Sequence, residues 1–394
     1  MARVTTIAGG GMEHDSVIRR VLLVALLLIP PRIAFAQEAA PPTPTVVPAA
    51  GRSIKIEGQL QFQVHSSTID SVPEWEAELR RMRVTLEGDA GDGFSGRLIG
   101  EFDSQRARVR DAYVDYRLSP HWAFRAGQFK LPFNQIELAS SKRLLVIERG
   151  NRVRGLRSSA TSDFLLGARY AGRSRGVMAT WKATGDRLTL LAGGWLGSGE
   201  NNEDNDGKEL AARVEYSIFE LPEKSTKPLM IGAAVATNGF FGSPRDTLRV
   251  VGSDSIRVTD PRYGAAFEAF AEYGAYNLPG PHAALAAFTG DNPAALGTDG
   301  RDIEFGTFLG ITAWAEWLVA FEDRLLSGVG PALRADRFDP DDSADDDALV
   351  LLTPGINLYF GSSAKLQVNY DVVTFQNDDV ASESALRLQT QLVF

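Results

Sequence analysis

The sequence has 394 residues, a formal net charge of −9, 44% hydrophobic residues and no cysteine. It is too apolar for a disordered chain and long enough for two soluble domains or one large barrel. The missing thiols exclude disulfides, thiolate metal sites and a cysteine nucleophile. His14, His65, His121 and His282 are far apart and offer no metal-ligand or triad spacing. No catalytic, cofactor-binding or metal residue is assigned.

In chain order, Arg19 and Arg20 precede the apolar run from Val21 to Ile29, and Ala34-Phe35-Ala36 follows. A basic start, a short apolar stretch and a small-x-small site predict a secretory signal over 1–36, with Met12 as an alternative start. The apolar run is far short of the roughly 20 residues that cross a bilayer as a helix. Residues 37–51, rich in Pro and Ala, predict a flexible lead-in, and 52–394 the folded domain. No later stretch approaches a transmembrane helix. An exported chain of this kind either stays soluble in the periplasm or enters a membrane as a barrel.

From residue 53 onward the dominant period is two. Ile54, Ile56, Leu60, Phe62 and Val64 alternate with Lys55, Glu57, Gln59, Gln61 and Gln63, and Leu366, Val368, Tyr370 and Val372 oppose Lys365, Gln367, Asn369 and Asp371. Such alternation is a strand between two environments. It predicts strands near 53–64, 76–88, 94–103, 108–118, 121–130, 175–183, 186–196, 208–217, 229–238, 262–274, 281–290, 303–319, 325–338, 348–361, 364–376 and 382–394. A soluble sandwich also alternates, but segments of about ten residues, with short and long connections in turn, fit tilted membrane-crossing strands. The prediction is therefore all-β: a transmembrane antiparallel barrel of about sixteen strands, an even number that returns both termini to one side. Turns fall at 89–93, 118–121 and 361–363, and external loops at 131–174, 197–207, 239–261, 291–302 and 339–347. Trp122, Trp181, Trp195, Trp317, Tyr359 and Phe394 lie near strand ends, as interfacial girdles require.

The final strand, with Leu386, Leu388, Leu392 and terminal Phe394, resembles the assembly signal of Gram-negative outer-membrane barrels. That implies recognition of Phe394 by the barrel-assembly machinery. Three segments resemble the phosphate-selective porin O and P family: Arg80–Gly88, Arg110–Arg117 and Arg125–Phe133, the last with its Gly-Gln-Phe-Lys-x-Pro-Phe element. Glu148-Arg149, Gly172–Val177, Gly355–Phe360 and Leu366–Tyr370 add support. The resemblance implies a sixteen-stranded porin, usually a homotrimer, whose long third external loop folds into the lumen. Here that loop is Leu131–Ser174, and its Arg152–Arg157 stretch departs from the family pattern.

Charge is unevenly spread. Between Arg80 and Arg157 sixteen basic residues stand against nine acidic ones, in a chain that is acidic as a whole. Strand parity aims Arg81, Arg83, Arg97, Arg117 and Arg125 at the lumen, with Lys182 and Arg213 further on. Lys130 ends its strand, and Lys142, Arg143, Arg149, Arg152 and Arg154 belong to the inward loop. Arginines lining a low-dielectric pore attract anions such as phosphate. Equally, they can pair with Glu87, Glu101, Asp103 and Asp115 and only stiffen the barrel. The acidic runs Glu200–Asp206 and Asp339–Asp347 read as solvated loop tips, or as divalent-cation sites beside lipopolysaccharide. The leading function is a water-filled outer-membrane channel for small solutes, against a non-selective porin or a structural or adhesive barrel with an occluded lumen. An enzyme has no nucleophile–base pair here, and neither nucleic acid nor a cofactor is expected.

Overall fold

The alternation closes on itself. The computed structural model describes residues 52–67, 75–103, 106–150, 161–185, 187–197, 208–218, 229–238, 247–251, 254–258, 264–274, 276, 278–299, 302–322 and 325–394. The predicted signal and lead-in therefore lie outside the described residues. The first strands are β1 (Ser53–Ser67), β2 (Trp75–Gly91), β3 (Phe94–Phe102), β4 (Ala107–Arg117), β5 (Trp122–Lys130), β6 (Arg173–Lys182), β7 (Leu188–Trp195), β8 (Glu209–Ser217) and β9 (Met230–Asn238). Next come β10 (Thr247–Val251), β11 (Asp254–Val258), β12 (Gly264–Tyr273), β13 (Gly280–Asp299) and β14 (Asp302–Ala320). β15 (Gly328–Asp339), β16 (Leu349–Phe360), β17 (Ala364–Phe375) and β18 (Glu383–Val393) end the chain.

Among the described residues, sixteen of these strands form one closed antiparallel barrel, and β10 pairs only with β11. β1 and β18 make the seam, from Gln59 opposite Val393 to Ser67 opposite Ala385. Phe394 extends it by exchanging backbone hydrogen bonds with Gly58. Two loop expectations are corrected. β13 and β14 run on to Asp299 and Asp302, where a loop over 291–302 was expected, because the ladder continues past a bulge at Asn292. The segment 239–261 contains the β10–β11 hairpin.

The outward face is apolar: Leu98, Val114, Phe124, Val177, Phe267, Ile311, Trp317 and Leu352 are all exposed. A continuous exposed apolar band belongs in lipid, not water. No helix among the described residues is long and apolar enough to cross a membrane, so the crossing is made by strands. Trp122 and Trp317 are exposed as interfacial residues should be. Trp195 and Tyr359 are not: both are buried on the inward face, where Trp195 packs on Phe129 and Tyr359 donates to Glu316.

Two bulges reset which residues face inward. In β4, Arg110 and Asp111 together stand against Ile99, between the pairs Leu98–Ala112 and Gly100–Val109. In β2, Arg80 is the extra residue between Arg81 opposite Gln61 and Leu79 opposite Phe62. A bulge flips the alternation beyond it, so Arg80 turns inward with Arg81 while Leu79 and Val109 stay exposed. Replacing Leu98, in the middle of the outward face of β3, by arginine should destabilise the barrel by about 2–4 kcal/mol. The midpoint of urea unfolding from lipid vesicles reads this directly, and an unchanged midpoint would remove β3 from the lipid face.

Candidate functional site: a basic cavity beside an anchored segment

β5 leads into residues 131–150, which have little regular structure. Leu131 N–H donates to Gly172 O at 2.9 Å, closing the neck where the chain leaves and rejoins the wall. Asn134, at φ 70°, caps the one-turn helix Gln135–Leu138 by accepting from Ile136 and Glu137 N–H. Backbone without a ladder still needs partners, and here side chains of the wall supply them. Gln61 donates to Ser141 O (3.2 Å), Gln391 to Lys142 O (3.2 Å), Lys365 to Leu144 O (2.9 Å) and Asn357 to Leu145 O (2.9 Å). Ile147 N–H donates to Asn369 Oδ1 at 2.6 Å, and Arg334 to Glu148 O at 3.2 Å. The amides also bond to one another, Gln63 to Gln389, Gln389 to Gln367 and Gln367 to Asn357 at 2.7–2.9 Å. On the other side, Asn134 and Gln135 N–H donate to Glu268.

Ion pairs add to these contacts. Glu148 accepts from Arg80 at 2.7 Å and Arg81 at 2.9 Å. Glu137 pairs with Lys130 at 3.4 Å and Arg149 at 3.5 Å. Lys142 pairs with Glu57. Burial pushes both glutamates up, but their basic neighbours outweigh it and hold the two carboxyls well below the usual carboxylate range.

Between this segment and the inward face of β2–β8 lies a cavity of about 370 Å³. Arg83, Arg97, Arg110, Arg125, Lys130, Lys142, Arg149, Arg173 and Arg213 line it, against only Asp111 and Glu215. Most of the carboxylates that answer these cations stand elsewhere. Glu101, paired with Arg83, and Glu268, paired at 3.1 Å with Arg213, are buried and do not line the cavity. Arg125 binds Asp115 through two bonds, at 2.7 and 2.9 Å. The cations are thus paired, and the surface that they present to the cavity is basic.

The structure brings together Arg83, Arg97, Arg125, Lys130, Lys142 and Arg149 of the expected lining. Others are placed differently. Arg81 is packed against Glu148 and Gln61 and does not line the cavity. Arg117 lines a second cavity of about 450 Å³ with Asp89, Asp92 and Asp115, adjoining the first through Arg125 and Met178. Arg143 is exposed and lines neither. Arg152 and Arg154 lie outside the described residues, as does the acidic run Glu200–Asp206. Parity missed Arg110, which the β4 bulge turns inward. It missed Arg173 because that residue was assigned to the loop; it begins β6 and binds Asp111 at 2.5 Å. In the run Asp339–Asp347, burial and the neighbouring Asp339 push the Asp347 carboxyl up to about 6. Among the described residues no group of three or more acidic or histidine side chains is arranged to hold a metal.

A closed sixteen-stranded barrel with an apolar exterior and a charged interior is the fold of outer-membrane porins. Residues 54–241, just under half of the chain, match the family model of phosphate-selective porin O and P, the family whose motifs the sequence resembles. No curated protein matches the chain. Among solved structures, the chain is similar to the anion-selective porin from Comamonas acidovorans, with a TM-score of 0.59 at 12% identity over 87% of this chain and 100% of that one. It is also similar to the outer membrane channel DcaP of Acinetobacter baumannii (0.57, 13%, 88% and 99%). A third is the trimer form of OmpT from Vibrio cholerae (0.54, 14%, 87% and 99%). At these identities the likeness is one of fold.

The glutamates set a pH window for the anchored segment. A depressed carboxyl contributes stability that is complete above its unfolded value, near 4.3 for glutamate, and is lost as pH falls through the lower folded value. The stability that Glu148 contributes should therefore be level from pH 7 to about 5 and fall only in stronger acid: the gap in urea-unfolding midpoint between the wild type and Glu148→Gln should be the same at pH 7 and at pH 5, and a gap that narrows between them would contradict this assignment. Glu148→Ala leaves Arg80 and Arg81 side by side without their buried partner, a loss of about 3–5 kcal/mol. It should raise open-channel current noise at neutral pH.

Proposed function

We propose that the protein is a diffusion porin in which residues 131–150 fold into the lumen and form, with β2–β8, an anion-attracting constriction for small anions, phosphate among them. The observation that carries this reading is the cavity surface, with nine basic side chains against two acidic ones. In a low-dielectric pore such a surface raises the local concentration of anions and repels cations. The family match and the likeness to an anion-selective porin point the same way. Homotrimerisation is supported by the trimer form of a similar barrel. Export through a cleaved signal at 1–36, and recognition of Phe394 by the barrel-assembly machinery, complete the reading; Phe394 is 74% exposed at the barrel seam. Outer-membrane lipid and lipopolysaccharide are the partners of the apolar belt.

A second reading, an occluded barrel, is favoured by one observation. An apolar cluster packs Phe133, Leu165 and Tyr170 against inward-facing Phe270, Phe288 and Phe308 of the wall. Planar bilayers separate the two. Under a KCl gradient the refolded barrel should pass a current whose reversal potential marks anion preference. The double variant Lys142→Gln/Arg149→Gln should move that potential toward the cation side. A closed barrel, or a cation-selective one, would overturn the proposal.

A further inference from the structure

The cavity is basic, yet much of its surface is apolar. Ile99, Tyr113, Met178 and Leu191 form an apolar stripe on the wall, and Leu138 lines the same cavity from the anchored segment. Ile99, Tyr113 and Leu191 are only half-buried, so they present carbon to the cavity. The stripe is interleaved with guanidinium groups. Arg125 lies 3.8 Å over the Tyr113 ring while its nitrogens hold Asp115. Tyr113 meets Phe129 edge-on at 6.1 Å, and Phe129 meets Trp195 at 5.5 Å, so the ring is backed by a fixed aromatic stack.

A fully hydrated inorganic ion gains nothing from such a stripe. Carbon offers no donor to replace lost water, and desolvating an anion against it is unfavourable. A solute with a flat apolar body and one anionic end gains twice, burying its body on the stripe while its charge meets the basic groups beside it. Resting on the reading of this cavity as an anion-attracting constriction, we propose that its preferred ligands are amphiphilic organic anions, aryl carboxylates above all, held with the ring against Tyr113 and Leu191 and the carboxylate toward Arg97, Lys142 and Arg149.

Benzoate, cyclohexanecarboxylate, acetate and inorganic phosphate can be titrated into planar bilayers containing the refolded barrel, with the reversal potential recorded in KCl on the same channels. Benzoate should half-block the current at a concentration about fivefold or more below acetate and phosphate, the gain expected from burying one face of a ring. Cyclohexanecarboxylate should fall between benzoate and acetate. Leu191→Ser and Ile99→Ser, checked for folding by heat-modifiable gel migration, should bring benzoate toward the acetate value. An anion-selective channel that benzoate blocks no better than acetate would overturn this inference and leave the porin reading standing. A channel without anion preference would overturn both. Should the variants fail to fold, the wild-type comparison of benzoate with acetate decides alone.

Discussion

A chain segment with little regular structure must still find a partner for every buried N–H and C=O, and the rest of this structure follows from how residues 131–150 do so. Their carbonyls and amides meet Gln61, Gln391, Lys365, Asn357 and Asn369. These side chains stand on β1, β16, β17 and β18, at inward positions beside the segment, while Leu349, Leu351, Val373 and Ala385 further along the same strands are buried and apolar. An apolar residue at Gln61, Gln391 or Asn369 would remove the wall partner of a backbone group of the segment, at about 1–3 kcal/mol each, whereas Leu144 O and Leu145 O, held by Lys365 and Asn357, are also reached by Gln367. The position of Lys142 and Arg149 opposite the arginines of β2–β8 is a consequence of this anchoring.

The interior is accordingly divided. On one side, apolar packing and amide bonds hold the segment; on the other, guanidinium groups and an apolar stripe face open space. The carboxylates that balance the arginines are drawn mostly behind the cavity surface, as with Glu101, Glu137 and Glu268. A network that serves stability also leaves one sign of charge in front.

Much of this was legible in the sequence. Period-two alternation located the sixteen barrel strands, all but the extension of β13 to Asp299 to within a few residues, because a barrel wall separates lipid from interior at every strand. The inward placement of Arg83, Arg97 and Arg125 followed from the same parity. What parity cannot register is a one-residue bulge, and so Arg80 and Arg110 escaped. Exposed Leu79 and Val109 carried the signal, since an apolar residue on the nominal lumen side marks a change of phase. Trp195 and Tyr359 were assigned to girdles because an aromatic near a strand end reads the same whether it faces lipid or a partner such as Phe129 or Glu316. The ladder of glutamines was visible as residues but not as a device, because its meaning lies in a backbone dozens to hundreds of positions away.

The two kinds of bond in this interior answer differently to the medium. Amide-to-carbonyl bonds carry no net charge and are nearly indifferent to dissolved ions, whereas interactions at the cavity surface are screened over about 10 Å at 0.1 M salt and about 3 Å at 1 M. On the reading proposed above, a cell moved from fresh to saline water would keep the neutral bonds that hold the segment while the preference of the cavity for anions faded.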